Sequence, residues 1–218
     1  MATVEPLLRE ARVRLSNIDW QTYLTLRDND DNRNVRMTYD RGILEIMSPS
    51  KRHERVGYLL GRFIDEWTDA FSIRVQACRS MTFHRQDEER GLEPDNCYYL
   101  ERVEQVLDRE EIDLACDPPP DLAIEVDVKS GSRGRLPIYA SLGVPEVWRW
   151  WNDGIEVYRL GRRSRYQRRD ASEALNGFPV AAAAEILRDK WGSDDGQIMR
   201  AFRKLVRQRK GAADQSSS

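Results

Sequence analysis

Asp121-Leu-Ala-Ile-Glu-Val-Asp-Val-Lys129 alternates without a break. Leu122, Ile124, Val126 and Val128 fall on one face, and Asp121, Ala123, Glu125, Asp127 and Lys129 on the other. This period of two predicts a strand with one apolar face and one ionisable face. Pro118-Pro119-Pro120 gives it an extended entry, and a Gly/Ser/Arg loop over 130–135 follows it. Such framing places the strand centrally in a sheet. An exposed edge strand is the other way to carry mixed charge, with lysine there to discourage pairing. Glu125 and Asp127 would stand about 6–7 Å apart along the strand. A divalent ion beside them would relieve their repulsion; without one, one of the two should hold its proton more tightly. Lys129, one step further, is placed to orient a water or to stabilise charge on a phosphate.

Working outward, Val35–Tyr39 and Ile43–Met47 alternate around Asp40-Arg41-Gly42 and predict a hairpin. Glu45 falls opposite Leu44 and Ile46. Ser50 is a good N-cap for a helix whose apolar residues are Val56, Leu59, Leu60, Phe63, Ile64 and Trp67. His53 in its first turn is read as a cap or surface residue ahead of a phosphate contact. A strand is predicted over 73–77, continuing towards Phe83, then a loop over 86–91 with His84 in loop surroundings, then a strand ending near Leu100. Leu136–Leu142 should be a short helix stopped by Gly143. Its Tyr139 faces either the ionisable strand or the core. Val144–Trp150 and Ile155–Leu160 form a second hairpin around Asn152-Asp153-Gly154, with a possible third strand over 162–169. Trp148, Trp150 and Trp151 suit core and edge packing better than a base-stacking platform. Two helices are expected over 181–189 and 196–208, and residues 211–218 read as a disordered tail.

Composition narrows the chemistry. The chain has 218 residues, with 35 Lys+Arg against 37 Asp+Glu, a net charge of -2. Residues 1–130 carry 18 basic and 27 acidic groups, whereas 131–218 carry 17 and 10. This excludes a uniformly basic DNA coat but permits an acidic metal site beside a basic surface. Arg159–Arg169 and Arg200–Lys210 are the basic stretches that would track a phosphate backbone. For the second, the solvated face of an amphipathic helix is the simpler reading. Three cysteines without a Cys-x-x-Cys pair, and only two histidines, argue against a zinc site. There is no phosphate-binding Gly-x-x-x-x-Gly-Lys loop and no Gly-x-Ser-x-Gly elbow. Metal chemistry would have to rest on carboxylates, hence on Mg²⁺ or Mn²⁺. No run nears the ~18 apolar residues of a membrane span. The N-terminus lacks a secretory pattern, and a cytoplasmic location is expected.

Pro94-Asp95 followed by Glu125-Val-Asp127-Val-Lys129 resembles the PD-(D/E)xK nuclease superfamily. More closely, the chain is similar to that superfamily's bacterial restriction endonuclease-like family over about residues 17–187. The marks are Arg41–Ser50 with His53-Glu54, Gly91–Leu100, Pro120–Asp127, Leu136–Tyr139 and Leu142–Trp148. The resemblance implies an α/β fold with a restriction-endonuclease-like core, a central mixed β-sheet flanked by helices. It implies Mg²⁺- or Mn²⁺-dependent hydrolysis of DNA phosphodiesters, and superfamily nucleases often act as homodimers. Asp95, Glu125 and Asp127 would be the metal ligands, Lys129 would assist, and Glu45 would orient the assembly or complete the shell. The pattern departs from the strict form, because the residue two after Glu125 is Asp127 rather than lysine. Either Asp127 is the acid and Lys129 its lysine, or Glu125 is the acid and the lysine role has moved or vanished.

The expected organisation is an N-terminal extension over 1–16, a nuclease-like domain over 17–190, a basic helix over 191–210 and a tail over 211–218. The leading functional reading is a metal-dependent endonuclease. The alternative is a catalytically inactive nuclease-fold module that binds DNA or protein.

Overall fold

The computed structural model describes residues 11–128 and 132–216. The chain runs β1 (Ala11–Ser16), α1 (Trp20–Arg27), β2 (Arg36–Asp40), β3 (Ile43–Ser48), α2 (Lys51–Phe71), β4 (Gln76–Ala77), β5 (Phe83–Arg85) and β6 (Arg90–Leu92). It continues with β7 (Asn96–Tyr99), β8 (Leu122–Val126), α3 (Leu136–Leu142), β9 (Glu146–Trp151), β10 (Gly154–Gly161), β11 (Arg165–Arg169), α4 (Val180–Asp189) and α5 (Asp195–Ser216).

Two sheets form. One has six strands in the order β11-β10-β9-β8-β7-β4, and the other has five in the order β1-β3-β2-β6-β5. The six-stranded sheet is mixed: β8 pairs with β9 in parallel and with β7 antiparallel. This is the expected mixed sheet with flanking helices, and β8 lies inside it. Every residue from Leu122 to Val126 is buried, so both faces of β8 are covered. The predicted strand was longer; the ladder ends at Val126.

One face of this sheet carries Leu122, Ile124, Val126, Trp148 and Trp150, and it packs under α2, α4 and α5 in the largest apolar cluster. The helix α2 forms where Ser50 caps it, its hydroxyl accepting from His53 N at 3.2 Å. Val56, Leu59, Leu60, Phe63 and Ile64 then share a stripe that is fully buried. Each such side chain stabilises the fold by about 1.5–3 kcal/mol relative to exposure. The opposite face is covered by Ile138, Tyr139 and Leu142 of α3, together with Phe83 and Leu92 from the five-stranded sheet. Gly143 ends α3 in the left-handed region at φ +78°, a conformation cheap only for glycine.

Several expectations need correction. Part of the supposed N-terminal extension is structural: β1 pairs with β3 from Ala11↔Ser48 to Ser16↔Ile43. Its alternation of Val13 and Leu15 with Arg12 and Arg14 was the available signal. The loop predicted over 86–91 contains the start of β6, and His84 sits in β5 opposite Gly91. Gly91 is needed there, because a Cβ would run into the Tyr23 hydroxyl and ring. The strand expected over 73–77 shrinks to Gln76–Ala77. The tail expected over 211–218 is helical as far as Ser216. Alanines 212 and 213 favour helix and line a groove with Trp67 and Phe71 of α2.

The basic helix α5 is no appendage. Phe202 stacks on Phe63 with centroids 4.0 Å apart, and Ile198, Met199 and Val206 are buried beside it. Trp148 and Trp150 are core residues, as packing suggested. Much of the C-terminal arginine charge is matched internally, with Arg159 paired to Glu173, Arg168 to Glu156 and Arg203 to Glu66. Among the described residues, no helix is long and apolar enough to cross a membrane.

Candidate active site

The ionisable face of β8 looks towards α3 and the five-stranded sheet, and most of the expected residues meet there. Glu125 is at the centre, 2% exposed. Its Oε1 accepts from the Tyr139 hydroxyl and its Oε2 from Arg135 Nη1 at 2.8 Å. Asp95 stands just before β7, its N–H donating to Ile124 O at 3.0 Å. Its Oδ2 accepts from Val126 N at 2.7 Å, and its Oδ1 from His53 Nε2 at 2.7 Å. Antiparallel pairing of β7 with β8 is what brings Pro94-Asp95 beside Glu125.

Glu45 joins from β3. Its Oε1 accepts from Arg135 Nη2 at 3.2 Å and from Arg12 Nη1 at 2.9 Å. It reaches Glu125 through Arg135 and stays partly open to solvent. Asp127 lies just past β8, its N–H donating to Trp150 O at 2.9 Å. Its carboxylate is taken by Arg149 Nε at 2.6 Å and approached by Arg12 at 3.5 Å. Arg149 also reaches Glu156 at 3.0 Å, so Asp127 belongs to a buried arginine network adjoining the cluster. Lys129 lies outside the described residues.

The electrostatics follow from burial. Desolvation pushes the Glu125 carboxyl up to about 7; Arg135 opposes that rise, and the charge of Asp95 adds to it. Burial also pushes Asp95 upward, but the His53 hydrogen bond and charge, with Arg135, hold it below the ordinary carboxylate range. Burial, then the charge of Glu125, keep the Tyr139 hydroxyl firmly protonated and able to donate. Burial disfavours the Arg135 cation, yet Glu125 and Asp95 outweigh that and keep it charged. Glu125 is the carboxylate that holds its proton more tightly, but burial rather than repulsion from Asp127 is the main cause, and Asp95 adds more to the rise than Asp127 does.

The donor chemistry fits a hard divalent cation in part. Two carboxylates from neighbouring strands offer oxygens, and the raised proton affinity of Glu125 marks excess negative charge that a cation would neutralise. All four of their oxygens already accept a bond from the protein. Among the described residues no three His, Cys, Asp or Glu side chains form a ligand set. This suits a Mg²⁺-like ion held by one or two carboxylates, with water and phosphate completing the shell.

Arg135 is the residue sequence reasoning passed over. It precedes α3 in a loop rich in arginine, and nothing local marks it as the inward one. His53 was read as a cap, yet it is 1% exposed. A signal existed, because His53 lies three and seven residues before Val56 and Leu60, on the buried stripe. Tyr139 takes the site-facing option.

A family model described as Uma2, putative restriction endonuclease, matches residues 20–191. Among solved structures, the chain is similar to a putative nuclease belonging to DUF820 from Anabaena variabilis. The TM-score is 0.50 at 16% identity, over 71% of this chain and 85% of that one, a likeness of fold. No curated protein matches the chain.

Proposed function

Because this chain belongs to the Uma2 family, we propose that it is a divalent-metal-dependent endonuclease that hydrolyses DNA phosphodiesters at the Asp95–Glu125–Arg135 cluster. The observation that carries this reading is a buried guanidinium, Arg135, bonded to the buried Glu125 of β8, with the buried Asp95 set at the start of the neighbouring strand β7. Burying such charges costs several kcal/mol per ion, which a purely structural strand has no need to incur.

Asp95 and Glu125 would hold Mg²⁺ or Mn²⁺, which supplies a bound water of lowered pKa and neutralises phosphate charge. His53 fixes the rotamer of Asp95, and Tyr139 that of Glu125. Arg135 provides the cation that the strict pattern places two residues after the acid, where this chain has Asp127. Its fork can turn from Glu125 and Glu45 towards a phosphate oxygen and stabilise charge developing there. Asp127 serves to hold Arg149 and Arg12 in place.

The test is cleavage of plasmid DNA by the purified chain with Mg²⁺ or Mn²⁺. Activity lost in Asp95→Asn and in Glu125→Gln supports the reading. A wild-type chain that cuts no DNA and binds no divalent ion overturns it. That result would favour the inactive, binding-only module, a reading supported by the complete hydrogen bonding of all four carboxylate oxygens.

A further inference from the structure

A cavity of about 140 Å³ adjoins the cluster on the side of the five-stranded sheet. One wall is a single face of that sheet. Arg14 on β1, Glu45 on β3 and Thr38 on β2 are cross-strand partners in one row, and Arg12 lies two residues along the same face. Arg135 and Ile138 close the other side.

Charge and hydrogen bonding in these walls are unbalanced. Two acids line the cavity, and both are engaged: Asp40 accepts from Arg90 Nε at 2.8 Å, and Glu45 from Arg12 and Arg135. Arg14, by contrast, makes no hydrogen bond or ion pair among the described residues. Two buried polar atoms of the walls, Thr38 Oγ1 and Arg135 Nε, also have no partner among the described residues. An acceptor-rich anion would meet the exposed Arg14 directly and would reach the enclosed Thr38 Oγ1 and Arg135 Nε once those side chains turn towards it. A phosphate group is such an anion, and its oxygens match a guanidinium fork.

We infer that this cavity seats a backbone phosphate of the bound nucleic-acid strand, with Arg14 as its anchor and Thr38 and Arg135 as further donors. The inference rests on the nuclease reading of the adjoining cluster, because the same strand would present the phosphate to be cut. Arg14 is a binding residue here and takes no part in the bond-breaking step. The strand β1 then has a purpose beyond closing a sheet, since it carries to the mouth of the site a cation that has no partner among the described residues.

The experiment is equilibrium binding of the full chain to a fluorescent duplex oligodeoxynucleotide without terminal phosphates, in EDTA, across a salt series. Arg14→Ala should weaken binding about tenfold and reduce the salt slope by about one. Arg14→Lys should recover part of the affinity, and circular dichroism should show all variants folded. Inorganic phosphate should compete with DNA on the wild type more strongly than on Arg14→Ala. Competition that differs between the two, with unchanged DNA affinity, would assign the cavity to free phosphate and overturn the backbone assignment. Unchanged affinity and slope in Arg14→Ala, with no phosphate effect, would remove the site altogether. Cleavage is scored separately. A chain that binds through Arg14 yet never cuts DNA leaves this site standing and sinks the hydrolase; a chain that cuts DNA with Arg14→Ala binding unchanged does the reverse.

Discussion

Arg135 donates to Glu125 Oε2 at 2.8 Å with both side chains about 95% buried or more, so one enclosed cation neutralises one enclosed carboxylate. Removing one member of such a pair leaves a buried charge without its partner. Arg135→Ala should therefore destabilise the fold by about 3–5 kcal/mol. Arg135→Lys keeps the charge but loses the fork that spans Glu125 and Glu45, and should fall between the two. Urea unfolding midpoints for the three proteins check the order.

His53 acts on Asp95 and reaches the chemistry only through it. His53→Ala should lower divalent-ion affinity about 10–100-fold while the fold persists. His53→Gln keeps a donor near Asp95 Oδ1 and should recover part of the loss. Titration calorimetry with Mn²⁺ reads the affinity directly, and equal affinities in all three proteins would remove His53 from this role.

Chelation should stop DNA cleavage, and added Mg²⁺ should restore it. The same ion should also raise thermal stability, because it binds only where Asp95 and Glu125 are assembled. The gain is about 2.7 kcal/mol when free Mg²⁺ is a hundredfold above its Kd. Melting curves of Asp95→Asn should show no such rise.

Glu156 supplies an acid-dependent contribution to stability. Burial raises its pKa, but the Tyr158 hydrogen bond and Arg149 outweigh that, and the carboxyl lies below its ordinary 4.5. A lowered folded-state pKa means the stabilisation is complete above 4.5 and is lost as pH falls through the lowered value. Glu156→Gln should be less stable than wild type at neutral pH yet lose less on acidification. Urea midpoints taken from about pH 7 down to about pH 3 would show converging curves.

Phe202 tests whether α5 belongs to the core. Its ring is fully buried and stacks on Phe63 of α2. Phe202→Ala should cost about 3–5 kcal/mol, far more than a change on a detachable helix. A melting temperature within a degree or two of wild type would contradict the packing.

The parts of the fold that local periodicity encodes were readable. The Val56–Trp67 stripe, the Asp40-Arg41-Gly42 hairpin and the Gly143 stop each depend on neighbours within a few residues. The nearness of Asp95 to Glu125, which the resemblance in the sequence implies, comes from the antiparallel pairing of β7 with β8. The rest depends on contacts distant in sequence. Nothing in the sequence near Arg135 marks it as a site residue; the fold of α3 over β8 is what brings it to Glu125. The sheet position of β1 was hidden because its partner strand lies more than 25 residues ahead. The end of α5 is not legible locally because it lies along α2, where Lys210 Nζ donates to Ala70 O at 2.6 Å, a partner far away in sequence.

The parallel pairing of β8 with β9, the only one among the described residues, forces the chain to cross over between them, and Arg135 rides on that crossover. Arg12, Glu45, His53, Asp95, Glu125 and Arg149 arrive from six other strands and helices or their margins. The site is therefore a property of connectivity as much as of composition. Cut the backbone at almost any surface loop between β1 and β9, and each fragment carries only part of the charge cluster. Activity after nicking would require the pieces to remain associated, which makes limited proteolysis followed by separation a direct probe of how widely the chemistry is spread along the chain.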